Sequence, residues 1–153
     1  MSSEFNRLRL DQTSQSLRTV DRLRGVQTPP GGWLRAIREA LGRTQRQQAA
    51  RLGIAGPTLH KSERAESEGR ITLAQLRKLA KGLECELVYA LVPRRPLKEV
   101  VETRADLVAR EQVGGVAHSM SLENQRPSEA FVEKQVAQRR LDLLAGKWSN
   151  LWR

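Results

Sequence analysis

The chain has 153 residues, enough for one or two small domains that bury roughly 70% of their unfolded surface. Its 27 basic and 17 acidic side chains give a net charge of +10, which favours an anionic partner. No stretch approaches the ~20 apolar residues of a membrane span, and the N-terminus lacks the apolar core of a signal peptide. A single cysteine, Cys85, excludes an internal disulfide, and with only two histidines we expect no metal and no cofactor. These features predict a cytoplasmic protein.

The basic excess is concentrated in one part of the chain. Residues 25–64 carry seven basic and two acidic side chains, whereas residues 97–153 carry nine and eight. A local net charge of +5 suits the neutralisation of nucleic-acid phosphates, but on charge alone a merely basic surface explains it equally well. The balanced charge of residues 97–153 is typical of solvated helix faces.

The first half of the chain predicts a series of short helices. Residues 1–30 are predicted to form a helical arm. The run Thr28-Pro29-Pro30-Gly31-Gly32 separates this arm from the next helix, because two prolines and two glycines cannot continue a helix. A second helix begins at Trp33 and ends at Gly42. The motif Thr44-Gln45-Arg46-Gln47 is a capping box that begins the third helix, which a tight turn at Gly53 closes.

Two further breaks define the next helices. Pro57 begins a helix at a position where its missing amide costs nothing, and a second capping box at Thr72-Leu73-Ala74-Gln75 begins another. Residues 85–92 then form an apolar run, rich in residues that favour strands and stopped by Pro93. A lone strand leaves its ladder unpaired, so we infer that it pairs with its copy in a homodimer; a helix extension is the alternative.

The last third is predicted to be helical again. A helix over residues 97–113 should kink or break at Gly114-Gly115, and a short helix over residues 116–125 follows. A last helix starts at Pro127-Ser128. The tail is unusually apolar and should dock on its own fold or on a partner; it contains Trp148, Leu151 and Trp152.

Residues 44–64 have the spacing of a helix-turn-helix. If Leu59 points inward, Thr58 and Lys61 lie on the outer side near the start of the helix, the part that reaches base edges in a major groove. Lys61 can then bond guanine and the Thr58 methyl can contact thymine, while His60 and Arg64 suit phosphates and Gln45 can clamp one. The predicted DNA-binding residues are Gln45, Arg46, Pro57, Thr58, His60, Lys61 and Arg64.

Residues 33–83 resemble the Cro/repressor-like (XRE) helix-turn-helix family. The matching residues are Thr44-Gln45, Ala49, Leu52-Gly53-Ile54, Thr58-Leu59, Glu63-Arg64 and Leu76-Lys78-Leu79-Ala80. The resemblance implies a mainly α fold: a lambda-repressor-like helix-turn-helix bundle over residues 31–93, which includes the dimerising β-strand, and a C-terminal helical region over residues 94–153. Two departures are Gln48, at a position that is usually apolar, which weakens packing, and Gly56-Pro57, which removes two base readers.

A narrower resemblance covers most of the chain. Five stretches are similar to the family called mobile mystery protein A: residues 33–42, 71–73, 85–93, 118–123 and 151–152. This resemblance implies a partner protein with a Fic domain, an enzyme class that usually transfers AMP from ATP to target hydroxyls. Within residues 116–125, the motif Ser119-Met120-Ser121-Leu122-Glu123-Asn124 fits the inhibitory pattern Ser/Thr-x-x-x-Glu-Gly/Asn of Fic-blocking antitoxins.

The inhibitory motif has a clear physical logic. Ser119 and Glu123 are four residues apart and project from one helical face, with Asn124 as the allowed variant of glycine. The resemblance implies that Glu123 occupies the place of the ATP γ-phosphate and pairs with an arginine of the Fic motif. An exposed serine and glutamate on a surface helix is the plainer explanation of the same residues.

Three functions are considered for this sequence. The first is an antitoxin that binds operator DNA as an autorepressor and inhibits a Fic toxin. The alternative is a stand-alone XRE-family repressor whose C-terminal region dimerises or senses a signal. An enzyme is the third, and we reject it because we find no catalytic residues: no nucleophile–base pair, phosphate-cradling glycine loop or metal spacing. Residues 1–24 could cover the DNA-binding unit or contact the DNA backbone.

Overall fold

The computed structural model describes residues 3–153 and divides them into two compact units. Leu23–Ala90 form one unit, and residues 3–22 together with Leu91–Arg153 form the other. Met1 and Ser2, the start of the predicted arm, lie outside the described residues. The helices are α1 (Ser3–Arg18), α2 (Trp33–Ala40), α3 (Gln45–Leu52), α4 (Gly56–Ser67), α5 (Leu73–Lys81), α6 (Leu97–Leu122) and α7 (Glu129–Ala145), with 3-10 turns at Asp21–Leu23 and Trp148–Trp152.

The unit Leu23–Ala90 is built around one apolar cluster that all four of its α-helices supply. Its buried members are Leu34, Ala49, Leu59, Leu79 and Leu83. Gly82, directly after α5, packs closely against Leu52 of α3: a Cβ atom at Gly82 would lie 2.2 Å from Leu52 Cδ2. Burial of these side chains is the main stabilising term of the unit.

The ends of α3 follow the local sequence as predicted. Thr44 Oγ1 accepts a hydrogen bond from the Gln47 amide at 3.2 Å, and Gln47 Oε1 accepts from the Thr44 amide at 2.9 Å, which completes the capping box. Gly53 ends the helix in the left-handed region, with φ +66°. Thr72 Oγ1 accepts from the Gln75 amide at 3.1 Å and begins α5.

The predicted dimerising strand over residues 85–92 is wrong. These residues adopt no regular structure, and all regular structure within residues 3–153 is helical. The β-branched and aromatic residues of this run favour a strand only when a neighbouring strand provides a pleated, half-buried surface on which they can pack. No segment in the described part of the chain provides such a surface. Val88, Tyr89 and Leu91 are instead exposed, and the strand-mediated homodimer loses its structural basis.

The other unit contains the antiparallel pair α6 and α7. Its buried apolar residues are Ala105, Val108, Ala109, Val136 and Leu151. Ser128 Oγ accepts from the Phe131 amide and begins α7, at the predicted restart of the chain. The tail docks on its own unit: Leu151 is fully buried, and its carbonyl oxygen accepts from Arg104 Nε at 2.5 Å.

Of the kink or break expected at Gly114-Gly115, the break does not occur. Helix α6 continues through both glycines to Leu122, so residues 116–125 do not form a helix of their own. Each glycine costs about 1 kcal/mol relative to alanine inside a helix, which packing against a neighbouring helix can offset. That packing exists on both sides of the glycines, since Gln112 Oε1 accepts from Arg139 Nε of α7, and Ala117 lines a groove with Phe131.

Candidate nucleic-acid interface

Helix α4 has one buried face and one solvent face. Leu59 is only 2% exposed and anchors the helix on the apolar cluster. The predicted contact residues of this helix all lie on exposed positions; they are Pro57, Thr58, His60, Lys61 and Arg64. On α3, Arg46 is exposed and Gln45 is half-buried. The structure thus brings the seven predicted residues to the same pair of helices.

A buried carboxylate connects three helices behind this surface. Glu63 of α4 accepts hydrogen bonds from Arg38 Nε at 2.6 Å and Arg38 Nη2 at 3.1 Å, and both side chains are buried. Gln45 Nε2 of α3 donates to Glu63 Oε2 at 3.0 Å. Arg38 Nη1 donates to the Arg43 carbonyl at 2.9 Å. Because every bond is charge-assisted, the network fixes α4 against α2 and α3.

The side chain of Gln45 is not free to clamp a DNA phosphate, the role predicted for it from the sequence. Its amide nitrogen contacts both Glu63 Oε2 and His60 Nδ1, the latter at 3.2 Å, so its side-chain donors are engaged inside the protein. When His60 Nδ1 accepts this bond, the imidazole proton resides on Nε2, which becomes a donor. Gln45 therefore orients His60.

The cations of α4 differ in how far they are neutralised. Arg64 Nε donates to Glu68 Oε1 at 2.8 Å, and Arg70 also pairs with Glu68. The hydrogen bond from Arg64 lowers the pKa of Glu68, and the same bond raises the pKa of Arg64. The side chain of Lys61, and that of Arg46 on the neighbouring α3, form no hydrogen bond or ion pair within residues 3–153. Of the three cations among the predicted contact residues, these two are therefore more available to an anionic ligand than Arg64 is.

The exposed side of α4 continues into an open groove towards the start of α5. The groove has a volume of about 550 Å³, and Thr58, Lys61, Arg64, Arg70 and Thr72 are among its lining residues. Three of these five side chains are cationic. The groove therefore offers positive charge and hydroxyl groups next to the residues predicted to reach base edges.

Two structural features of this unit escaped the sequence reasoning. Glu66 of α4 accepts hydrogen bonds from the backbone amides of Trp33 and Leu34, both at 2.9 Å, and so caps α2 from another helix. Gly32 is required there, since it has φ +89° and a Cβ atom would lie 2.7 Å from Glu66 Oε2. The double glycine at residues 31–32 is the sequence signal for this cap, although from the sequence it indicated only that a helix cannot continue there.

Gln48 is the second such feature. It is 1% exposed, but Gln48 Nε2 donates to the Gly82 carbonyl at 3.0 Å and Gln48 Oε1 accepts from Arg43 Nη1 at 3.1 Å. Arg43 Nη1 also reaches the Gly82 carbonyl, at 3.3 Å. The polar residue at a usually apolar position is therefore satisfied, and the expected weakening of the packing has no basis.

The other predicted motif lies in the second unit, at the end of α6. Ser119 and Glu123 are exposed, and Ser119 Oγ donates to the Gly115 carbonyl one turn earlier. Glu123 directly follows α6 as its C-cap. Its amide donates to the Met120 carbonyl at 3.2 Å, but its side chain forms no hydrogen bond or ion pair in the described part of the chain. Asn124 has φ +61°, the left-handed conformation that glycine and asparagine tolerate best.

A helix-turn-helix family model matches residues 34–89, which include α3 to α5 and all of α2 except Trp33. Residues 34–89 are an XRE-like helix-turn-helix domain. Domains of this kind serve DNA-binding regulators, and the domain contains all seven predicted contact residues. The match ends before α6, so the resemblance to mobile mystery protein A stays a hypothesis. Comparison with curated proteins and with solved structures gives no significant match.

Two other features are absent from residues 3–153. No helix there combines the length and the apolar character that a membrane crossing needs. In the part of the chain that the structure describes, no group of three or more histidine, cysteine, aspartate or glutamate side chains lies where it could hold a metal ion.

Proposed function

We propose that this chain is a non-enzymatic antitoxin that represses its own operon and inhibits a Fic-domain partner. In the repressor role, α4 enters the major groove with Lys61 and Thr58 towards base edges. Their exposure on the side opposite the buried Leu59 supports this orientation. Lys61 supplies a charge that no described residue neutralises, as guanine recognition requires.

Phosphate contacts on either side of α4 complete this arrangement. Arg46 is exposed and unpaired within residues 3–153, and it supplies one contact. His60 supplies another through Nε2, because Gln45 holds its Nδ1. Gln45 itself acts through its backbone amide in the first turn of α3, where helix amides bind anions. Arg64 must loosen its bond to Glu68 before it can contact DNA.

The proposed inhibitory role depends on Glu123. A carboxylate at the C-terminal end of a helix is unfavourable by about 0.3–1 kcal/mol because the helix dipole is negative there. No described cation compensates Glu123, so its position does not serve the stability of α6. An exposed, unpaired acid in an unfavourable place favours a role towards a partner, and it is the observation that carries this proposal.

The left-handed Asn124 supports the same proposal. The inhibitory pattern ends in glycine or asparagine, and these are the residues that accept a positive φ directly after a helix. The pattern therefore describes a helix end that presents its glutamate. By the resemblance, the Glu123 carboxylate takes the place of the ATP γ-phosphate and pairs with the Fic-motif arginine, so that ATP cannot bind in a reactive pose.

The experiment is an AMP-transfer assay with the neighbouring Fic protein and the full chain. Glu123→Gly should release AMP transfer, and Glu123→Gln should release it in part, because the amide keeps the shape and loses the charge. Glu111→Gln is the matched control, since Glu111 is an exposed acid on α6. Full inhibition by Glu123→Gly would show that Glu123 is not the inhibitory group.

One observation favours the alternative of a stand-alone XRE-family repressor. The family match is confined to residues 34–89, and the predicted DNA contacts need no other part of the chain. The reading frame next to this gene separates the two functions. A Fic motif, His-x-Phe-x-Asp/Glu-Gly-Asn-Gly-Arg, supports the antitoxin, whereas its absence supports the stand-alone repressor.

A further inference from the structure

The unit of residues 3–22 and 91–153 contains a cavity with both charged and apolar lining. The cavity has a volume of about 350 Å³ and lies between α1, the start of α6, the end of α7 and the C-terminal turn. Known small-molecule sites have volumes of roughly 300–1,000 Å³. The size therefore suits a small metabolite rather than a macromolecule.

Charged side chains line two opposite walls of this cavity. Arg7 and Asp11 lie one turn apart on α1, and Lys98 and Glu102 lie one turn apart on α6. Lys98 Nζ and Glu102 Oε1 form an exposed ion pair at 3.9 Å. Within residues 3–153, no hydrogen bond or ion pair joins the pair on α1 to the pair on α6. Arg7 and Asp11 on α1 thus keep one positive and one negative group for a ligand, whereas a ligand that contacts the α6 wall must open the exposed ion pair between Lys98 and Glu102.

The remaining lining is apolar. Leu10, Val101 and Leu144 are half-buried, because the cavity leaves one side of each uncovered. Trp148 is also half-buried, and its indole Nε1 donates to the Leu144 carbonyl at 2.9 Å. This bond holds the indole in place and provides a fixed apolar surface beside the charged walls.

We propose that this cavity binds a small zwitterion with an apolar side chain, of the class of free α-amino acids. Its carboxylate pairs with Arg7 or Lys98, its ammonium group pairs with Asp11 or Glu102, and its side chain covers the half-buried apolar lining. A ligand with a single charge leaves an opposite charge of the cavity unpaired. The inference is independent of the Fic partner.

The test is isothermal titration calorimetry on the full chain with L-phenylalanine. Two probes match it in shape and lack one charge each: 2-phenylethylamine has no carboxylate, and 3-phenylpropanoate has no ammonium group. L-phenylalanine should bind, and each analogue should bind at least about tenfold more weakly, because a charge-assisted contact is lost. Repeating the titrations with L-leucine tests whether an aliphatic side chain suffices.

Two variants and a control locate the binding in the cavity. Arg7→Gln and Asp11→Asn should each weaken L-phenylalanine binding about tenfold. Arg9→Gln should not, since Arg9 lies outside the cavity and stacks on the Phe5 ring at 4.7 Å. The proposal fails if neither amino acid binds, if the singly charged analogues bind as well as L-phenylalanine, or if Arg7→Gln and Asp11→Asn bind like the wild type. Circular dichroism confirms that each variant is folded.

Discussion

Arg38 and Glu63 form a two-point ion pair in the interior of the helix-turn-helix domain. The donors Nε and Nη2 of Arg38 reach the two carboxylate oxygens of Glu63 at 2.6 and 3.1 Å, and the residues are 5% and 4% exposed. Gln45 and the Arg43 carbonyl satisfy the remaining groups. The planar guanidinium fits this geometry, which sets the position of α4 relative to α2.

Glu63→Ala should lower the free energy of unfolding by about 3–5 kcal/mol, because it leaves Arg38 as an uncompensated buried charge. Denaturant unfolding of the full chain, followed by circular dichroism, measures this change. Glu68→Ala, at the residue directly after α4, is the control, and it should change stability little because Glu68 is exposed. The double variant Arg38→Met/Glu63→Leu should recover much of the loss, since both charges are removed. Equal stability of Glu63→Ala and Glu68→Ala would contradict the buried pair.

Gly114→Ala should raise the stability of the chain by about 1 kcal/mol, because Gly114 lies inside continuous α6 with nothing within 4 Å of an added Cβ atom. Gly53→Ala has the same open space but a φ of +66°, so this control should lose stability. Thermal unfolding compares the two. A loss of stability in Gly114→Ala would show that the helix is interrupted at the glycines after all.

The pair Arg110 and Glu133 predicts a small pH dependence of the contact between α6 and α7. Hydrogen bonding from Arg110 lowers the pKa of Glu133 below its ordinary value of 4.5. A carboxylate with a lowered pKa stabilises the fold above its ordinary pKa, and this contribution is lost as the pH falls through the lowered pKa. In Glu133→Gln, the melting temperature should therefore fall less steeply as the pH is lowered than it does in the wild type. The difference should be small because the pair is exposed. Identical profiles for variant and wild type would contradict the pairing.

Short-range chemistry made the ends of the helices predictable. Thr44 and Gln47, Gly53, and Ser128 each act within a few residues of their own position, so the sequence contains all the information. The inward direction of Leu59 followed from helical periodicity alone. The wrong predictions were those in which packing with distant residues decides the outcome, as in the continuous helix at Gly114.

Long-range polar contacts were not predictable from the sequence. Arg38 and Glu63 are 25 residues apart, and a chain with 27 basic and 17 acidic side chains offers many equivalent pairings. The cap that Glu66 places on α2 and the bonds of Gln48 to Gly82 depend on the same tertiary proximity. Helical periodicity predicted which residues lie on the exposed face of α4. It could not predict that the Gln45 side chain bonds to Glu63 and His60.

Lys61→Ala is the most informative change for the DNA-reading assignment. Lys61 is exposed on α4 and forms no ion pair in the described part of the chain, so its removal should leave the fold unchanged. Loss of a base contact should lower the preference for operator over scrambled DNA by about 1–3 kcal/mol. Lys81→Ala, an exposed lysine on α5, is the control and should keep that preference.

The deciding measurement is fluorescence anisotropy of the full chain and both lysine variants on operator and scrambled duplexes at one fixed salt concentration, since salt alone changes such affinities strongly. The central claim, that the outer face of α4 reads base edges, predicts a selective loss of operator affinity in Lys61→Ala. Equal weakening on both duplexes, or unchanged binding to both, would contradict it.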